Sequence, residues 1–173
     1  MKYQMNSSKY LSKSEFQYLT RILENDWSRD GILIKIGIAT GARAQELLNI
    51  RLNDLDDHNH SVLIYGLKGS KDRSIPLEKP LFNALKALAL KNNGVPFDIS
   101  YQRFQQIWAK YTPNSNKSIK SLRHSFAIRH YRRTKDIMLI KEALGHQDIK
   151  NTDVYAQEVY ANEKLKGLLV RKK

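Results

Sequence analysis

Five basic side chains and one tyrosine form a set of residues in this sequence whose types could do chemistry together. The set consists of Arg43, Lys68, Lys120, Arg123, His146 and Tyr155, and the tyrosine follows the histidine by nine residues. Cationic groups bind phosphate oxygens or transfer protons, and a hydroxyl can act as a nucleophile. The set therefore suits cleavage of a phosphodiester in which protein side chains supply the positive charge, and we expect no metal ion and no cofactor.

The composition indicates a polyanionic partner. The 173 residues include 30 Lys and Arg against 17 Asp and Glu, which gives a formal net charge of +13. A chain of this length accommodates one ordinary domain, and an excess of positive charge favours binding to nucleic acid. Charge alone also fits a ribosome-associated protein. The absence of cysteine excludes a disulfide framework and a thiolate metal site.

No segment of the sequence has the pattern of a signal peptide or a membrane span. The N-terminus MKYQMNSSKY lacks an apolar core, and the longest apolar run, residues 32–39, is interrupted by Lys35 and Gly37. A bilayer needs about 20 apolar residues in a helix. We therefore expect a cytoplasmic protein that makes no contact with a membrane.

The hydrophobic pattern predicts mostly helices. Residues 1–11 are polar, and we expect a flexible segment there before a first helix that begins at Ser12 or Ser14. The apolar run that follows Asp30 predicts a buried helix ending at Gly41, and a second short helix follows directly.

A change of pattern after this point predicts a hairpin. The segments SVLIYG and DRSIPL flank LKGSK, and glycines at 66 and 69 suit a turn between two strands. Pro80 opens another helix, and further helical patterns cover 100–111, 118–132, 136–144 and 150–171. The Asp-rich stretch 54–60 is expected to be solvated loop without a metal. The predicted fold class is mainly α with a small antiparallel β-sheet (α+β), in one domain over 12–173.

The candidate residues lie at predicted helix ends. Arg43 follows a Gly-Ala break where a helix begins, and Glu46, three residues later, can hold its guanidinium. An exposed surface ion pair is the alternative for these two residues. His146 follows a glycine that ends a helix. Tyr155 lies on the next helix, where a tyrosine alone would be expected to pack in the core with a solvated hydroxyl.

Two basic residues share one face of the helix at 118–132. Lys120 and Arg123 are three positions apart, whereas Leu122 supplies the apolar side. Two cations on one face bind a phosphate or simply face water. We expect His124 and His130 to be structural or surface residues.

Four segments in a fixed order carry more information than any one of them. ATGARAQELLNIRLNDLD is followed by LKGSKDRSIPL, KSLRHSFA and LGHQDIKNTDVY. This series resembles the catalytic domain of the tyrosine recombinase (phage integrase) family, from about residue 12 to about residue 170. The resemblance implies that family's fold and a site-specific recombinase that cleaves and rejoins DNA through a covalent 3′-phosphotyrosine, without metal or ATP.

The resemblance also implies roles for single residues. The family's two arginines fall on Arg43 and Arg123, which would clamp the phosphate, and its acidic helper falls on Glu46. Its hairpin lysine falls on Lys68, with Lys71 as the nearby alternative, and would protonate the leaving 5′-oxygen.

The last part of the pattern supplies the nucleophile. The family's late histidine falls on His146, a donor to a phosphate oxygen, and its nucleophile falls on Tyr155, with Tyr160 as a decoy. Lys120 stands where most members carry histidine, as a variant that the family tolerates. It would be a second donor or would help to deprotonate the tyrosine.

The implied partners are double-stranded DNA and further copies of the chain, assembled on DNA as a four-subunit ring in the nucleoid of a bacterial, archaeal or phage-infected cell. Family members normally carry a helical core-binding domain before the catalytic one, and here the signature begins near Met1. We therefore expect no core-binding domain, and an accessory DNA-bending or specificity protein is a candidate partner. A naturally minimal recombinase and a domain of a longer integrase remain alternatives.

Two other functions use similar residues. A type IB topoisomerase nicks and reseals one strand with a comparable set of residues, and a DNA-binding regulator could keep the fold without cutting DNA.

The end of the chain carries an apolar stripe that consists of Val159, Leu165, Leu168, Leu169 and Val170. The stripe either packs on its own domain or docks on a neighbouring subunit.

Overall fold

The computed structural model of the protein describes residues 4–113 and 115–169, with side chains up to residue 167. Within these residues the chain forms eight α-helices, three short β-strands and a 3₁₀ turn at Leu52–Asp54. The elements are α1 (Lys13–Leu23), α2 (Arg29–Thr40), α3 (Ala44–Leu48), β1 (Leu55–Asp56), β2 (Ser61–Ile64), β3 (Arg73–Pro76), α4 (Lys79–Lys91), α5 (Tyr101–Tyr111), α6 (Lys120–Thr134), α7 (Ile137–Leu144) and α8 (Lys150–Leu169).

The strands form one antiparallel sheet in the order β1-β2-β3. Residue Val62 of β2 pairs with Ile75 of β3, and Ile64 pairs with Arg73. This arrangement confirms the predicted fold class and the predicted hairpin. The short strand β1 lies in the stretch expected to be loop, because Leu55 also pairs with Val62 from the other side.

Capping residues explain where several helices begin and end. Ser12 Oγ accepts a hydrogen bond from Glu15 N, and Glu15 Oε2 accepts one from Ser12 N, which forms a capping box before α1. Helices α2 and α7 end at Gly41 and Gly145, whose φ angles are +61° and +68°. Glycine adopts this conformation without strain, and these two glycines lie two positions before Arg43 and one position before His146.

The apolar residues form two packed clusters. Helix α2 is apolar on nearly all sides and runs through the larger cluster, which also takes in α1, α3, α5 and the sheet. Ile32, Leu33, Ile34 and Ile36 are each at most 3% exposed. The smaller cluster joins α6, α7 and α8. Helix α6 contributes Leu122 to the first cluster and Phe126 to the second, so it connects the two.

The segment before α1 differs from the expected flexible segment. Met5, Tyr10 and Leu11 are buried, and Leu11 N donates to Ser125 Oγ at 2.8 Å. Tyr10 Oη donates to Glu158 Oε1 at 3.0 Å. Residues 4–11 therefore lie on α6 and α8, because a few apolar side chains within a polar segment are enough to anchor it.

The last helix packs on its own domain only in part. Val159 is 1% exposed, whereas Tyr160 and Leu165 are 66% and 54% exposed. The side chains of Leu168, Leu169 and Val170 lie outside the described residues. None of the helices in the described part of the chain is long and apolar enough to cross a membrane.

Candidate active site

A cavity of about 870 Å³ opens where the first turns of α3, α6 and α8 meet the β2–β3 loop. All six candidate residues with side-chain chemistry line it: Arg43, Lys68, Lys120, Arg123, His146 and Tyr155. They come from positions up to 112 residues apart in the sequence. A second cavity of about 880 Å³, lined among others by Trp27 and Leu88, contains none of them.

Arg43 stands at the start of α3, held by Glu46. Glu46 Oε2 accepts from the backbone N–H of Arg43 at 2.8 Å, and Oε1 accepts from Arg43 Nη1 at 3.1 Å. Arg43 Nη1 also donates to Ser70 Oγ in the hairpin loop. The Arg43 side chain keeps 31% of its surface exposed, whereas that of Glu46 is fully buried. The carboxylate therefore fixes a guanidinium that still faces the cavity.

Glu46 has a second arginine partner that the sequence did not indicate. Arg73 Nη2 donates to Glu46 Oε2 at 2.8 Å, and the backbone N–H of Leu67 donates to Oε1 at 3.2 Å. Burial by itself raises the pKa of Glu46, but the hydrogen bonds from Arg73 and from the Arg43 backbone lower it below 4.5 overall. One carboxylate thus joins α3 to the hairpin that carries Lys68.

Arg123 joins the ends of two helices beneath the cavity. Its Nη1 donates to Gly41 O at 2.9 Å and its Nη2 donates to Leu144 O at 2.8 Å. Burial, and then repulsion from Arg43, lowers the pKa of Arg123 to about 10, so the group stays charged at neutral pH. Because Gly41 and Leu144 lie two residues before Arg43 and His146, this side chain positions both.

The hairpin loop presents Lys68 to the cavity. Lys68 and Gly69 both have positive φ angles, 54° and 77°, which turns the loop between β2 and β3. Lys71 N donates to Gly145 O at 2.8 Å, and Arg73 Nε donates to Ala143 O at 2.9 Å. These bonds anchor the loop on the end of α7. Lys68 lines the cavity, and Lys71 is not among the described residues that line it.

His146 is buried and oriented by a hydroxyl. Its Nδ1 lies 2.9 Å from Thr152 Oγ1, and Thr152 is fully buried. Burial, followed by the charges of Arg123 and Arg43, lowers the pKa of His146 to about 3. The imidazole is therefore neutral at pH 7. When the Thr152 hydroxyl donates to Nδ1, the ring proton is on Nε2 and can be donated to a ligand.

Tyr155 lies deep in the cavity and contacts a histidine. The residue is 3% exposed, and its Oη lies 3.0 Å from His124 Nδ1. His124 lines the same cavity, so its description as a structural or surface residue is incomplete. His130, from the same helix, packs on Phe126 with ring centroids 4.3 Å apart, as expected of a structural residue.

Two features of the sequence could have identified His124 and Arg73 as residues of the site. His124 is four positions after Lys120, and a helix places such residues on one face. Arg73 alternates with Ile75 on one face of its strand and pairs with Ile64, and a charge on a buried face requires a partner. Lys120, the first residue of α6, is exposed at the mouth of the cavity. Over residues 4–113 and 115–169 no group of three or more His, Asp or Glu side chains could hold a metal ion.

Comparisons with known proteins agree on one family. Residues 9–162 match the sequence model of the phage integrase family. The tyrosine recombinase XerA of Pyrococcus furiosus is 28% identical over 163 residues, which cover 86% of this chain and 57% of that relative. The chain therefore spans a little over half the length of this relative.

Solved structures show the same fold. The XerH site-specific recombinase, bound to a palindromic difH substrate in a post-cleavage complex, matches with a TM-score of 0.73 and 24% identity over 93% of this chain and 52% of that one. The catalytic domain of bacteriophage HP1 integrase matches with a TM-score of 0.69 and 23% identity over 93% of this chain and 94% of that one.

Proposed function

This chain belongs to the phage integrase family, and on that premise we propose that it is a site-specific recombinase that cleaves and rejoins DNA through a covalent 3′-phosphotyrosine. The observation that carries the proposal is that one cavity is lined by all six candidate residues: Arg43, Lys68, Lys120, Arg123, His146 and Tyr155. The proposed partner is double-stranded DNA in the cytoplasm of a bacterial, archaeal or phage-infected cell.

The two arginines are the proposed clamp on the scissile phosphate. Attack on a phosphodiester adds negative charge to the non-bridging oxygens, and planar guanidiniums match that geometry with several N–H donors. Arg43 is fixed by Glu46 and Arg123 by two backbone carbonyls. Donors that are held in place before the substrate binds need no reorganisation as the charge develops, which is the source of their contribution to the rate.

The proposed reaction exchanges one phosphoester bond for another. Tyr155 Oη forms a bond to phosphorus as the bond from phosphorus to the 5′-oxygen breaks, and the Lys68 ammonium gives a proton to that oxygen. His146 donates to a phosphate oxygen from Nε2, and Lys120 adds positive charge at the cavity mouth. The phosphotyrosine conserves the bond, so the reverse attack by a 5′-hydroxyl rejoins DNA without ATP.

Recombination joins strands of two duplexes, so we propose that several copies assemble on DNA as a ring of four subunits. The partly exposed end of α8 supports this proposal, because Tyr160 and Leu165 offer apolar surface beyond the part that packs on its own domain. The net charge of +13 supports binding through phosphate contacts, which makes affinity depend steeply on salt.

A nicked suicide substrate tests the proposal. The short strand released after cleavage cannot return, so the phosphotyrosine accumulates and is visible as a protein–DNA adduct on a denaturing gel. The wild type should form the adduct and Tyr155→Phe should not, although Tyr155→Phe still binds the DNA. Tyr160→Phe is the matched control because Tyr160 is exposed on the same helix.

The outcomes separate the competing functions. An adduct with Tyr155→Phe, or its loss with Tyr160→Phe, would overturn the assignment of the nucleophile. Binding by the wild type without any adduct would indicate a non-cutting regulator. If the wild type forms the adduct on the nicked substrate, intact duplexes that carry the site are tested next, and nicking and resealing without strand exchange between them would indicate a topoisomerase.

A further inference from the structure

The nucleophile of the proposed reaction carries a proton that must leave it. A phenol has an ordinary pKa near 10, so at neutral pH its oxygen is protonated and a poor nucleophile. Attack on phosphorus becomes faster when a neighbouring group accepts that proton in the transition state. The candidates in the cavity are the nitrogen atoms that lie within reach of Tyr155 Oη.

His124 is a nitrogen base in contact with that oxygen. The distance between His124 Nδ1 and Tyr155 Oη is 3.0 Å, and the two rings lie 5.9 Å apart at an angle of 47°. Nδ1 accepts a hydrogen bond from the phenol when the imidazole proton is on Nε2. His146 is engaged differently, because its Nδ1 contacts Thr152.

The surroundings keep His124 in the form that can accept a proton. Burial lowers the pKa of His124 to about 4, and the charges of Arg123, Lys9 and Lys120 add to the effect. The imidazole is therefore neutral at pH 7 and has a free lone pair with which to accept a proton. A DNA phosphate in the cavity offsets the charges of Arg123 and Lys120, which line it, so substrate binding makes His124 a stronger base.

We propose that His124 is a catalytic residue of the cleavage step, which holds the Tyr155 hydroxyl through Nδ1 and accepts its proton as Oη attacks phosphorus. The inference rests on the proposed recombinase function. The Oη–H bond breaks and the Nδ1–H bond forms, while the phosphorus–Oη bond replaces the phosphorus–O5′ bond and Lys68 protonates O5′. In the rejoining step each proton returns to its donor, which leaves His124 neutral and Lys68 charged.

Single-turnover adduct formation on the nicked substrate tests the inference. His124→Asn keeps an oxygen close to the position of Nδ1 that accepts a hydrogen bond but cannot take a proton. His124→Ala removes both properties and leaves space for a small base. His130→Asn is the matched control, since His130 lies on the same helix and packs on Phe126. Thermal melting and gel shifts verify that each variant folds and binds DNA.

We expect both His124 variants to be slower by on the order of 10²-fold or more at pH 7, the usual contribution of a general base. The rate of His124→Asn should rise about tenfold per pH unit towards pH 9, because the phenolate population then grows by that factor. Added imidazole should restore part of the rate of His124→Ala. His130→Asn should match the wild type.

Other results would overturn the inference. A wild-type rate in His124→Asn would show that the hydrogen bond alone suffices. A slow His124→Ala that imidazole does not rescue, with a pH profile like that of the wild type, would show a structural role. If the wild type itself forms no adduct, the proposed function fails instead. In that case the ¹⁵N chemical shift of His124 Nδ1 tests the hydrogen bond between His124 and Tyr155 directly. An unchanged shift in Tyr155→Phe would show that the two side chains are not in contact.

Discussion

Glu46 and Arg73 lie 27 positions apart in the chain and form an ion pair in which Arg73 Nη2 is 2.8 Å from Glu46 Oε2. Their side chains are 0% and 6% exposed. The pair connects the start of α3 with the strand that follows the Lys68 loop. It is a structural link between two parts of the candidate active site.

Glu46→Gln should lower the free energy of unfolding by about 3–5 kcal/mol, because removing one partner of a buried ion pair leaves the other charge uncompensated. Chemical denaturation of the two proteins measures the difference. Glu163→Gln is the control, since Glu163 pairs with Lys135 where the two side chains are 55% and 48% exposed. An exposed pair of this kind contributes less than about 1 kcal/mol. Equal losses in the two variants would contradict the role of Glu46.

The two arginines of the proposed clamp should differ in their effect on folding. Arg123→Lys cannot reach both Gly41 O and Leu144 O, and a hydrogen bond from a charged group contributes about 1.5–3 kcal/mol, so we expect a loss of about 1.5–3 kcal/mol. Arg43→Lys changes a side chain that is 31% exposed and should cost less than about 1 kcal/mol.

Both arginine variants should nevertheless slow adduct formation by on the order of 10²-fold, the scale of losing one fixed donor to a developing charge. Denaturation curves and single-turnover rates on the same preparations separate the two effects. The interpretation fails if Arg43→Lys unfolds as readily as Arg123→Lys, or if either variant cleaves at the wild-type rate.

Lys68→Ala should lose cleavage of ordinary DNA and recover it on a substrate in which sulfur replaces the 5′-bridging oxygen. A thiolate leaves without a proton, so the substitution makes a general acid unnecessary. Lys71→Ala should cleave both substrates, because Lys71 is exposed and lies outside the lining of the cavity. Rescue of Lys71→Ala by the sulfur substrate, together with normal cleavage of ordinary DNA by Lys68→Ala, would identify Lys71 as the general acid in place of Lys68.

Local sequence patterns predicted the helices and strands of the fold. The resemblance to a family predicted which distant residues lie together in the cavity. The 3.6-residue period gave α5, α6 and α7 to within two residues at each end, and the glycines after α2 and α7 ended those helices as expected. The packing of Met5 and Tyr10 on α6 and α8 could not be predicted, because a short polar segment has no periodicity that names its partner.

Two of the missed site residues, Arg73 and His124, were missed for the same physical reason. Arg73 contacts Glu46, which is 27 positions away in the sequence, and His124 contacts Tyr155, which is 31 positions away. Hydrophobic periodicity reports which face of an element is buried but not which side chain of a distant element it contacts. Thr152, which orients His146, is only six positions from that histidine and was missed for a different reason. It lies in the first turn of a helix, where a threonine is an ordinary residue.

Acid should destabilise the fold through His146. Its pKa is about 3 in the folded protein because of burial and nearby arginines, against an ordinary value of 6.5. Between these values the unfolded chain binds more protons than the folded one, so the free energy of unfolding falls as the pH falls below 6.5. His146→Asn removes this contribution and should flatten the curve between pH 4.5 and 6.5.

Urea denaturation at several pH values measures that slope. A smaller slope should remain in the variant, because His124 has a pKa of about 4 and contributes in the same direction. Identical slopes in the wild type and His146→Asn would show that His146 is protonated equally in the two states.

Truncation after Asn162 tests whether the end of α8 serves assembly. The part that packs on its own domain is retained, since Tyr155 and Val159 are buried and Asn162 Nδ2 donates to Glu158 Oε1 at 2.9 Å. The part removed includes Leu165, which is 54% exposed. The truncated protein should therefore unfold with nearly the free energy of the wild type and bind a single site equally well.

Complexes of several subunits on DNA should weaken, as measured by gel shift and light scattering, because the exposed apolar surface of Leu165 is available to a neighbouring copy. Leu165→Glu should reproduce the effect with one substitution, and Lys164→Gln is its control beside it on the helix. Unchanged assembly combined with a lower melting temperature would show instead that the end of α8 packs only on its own domain.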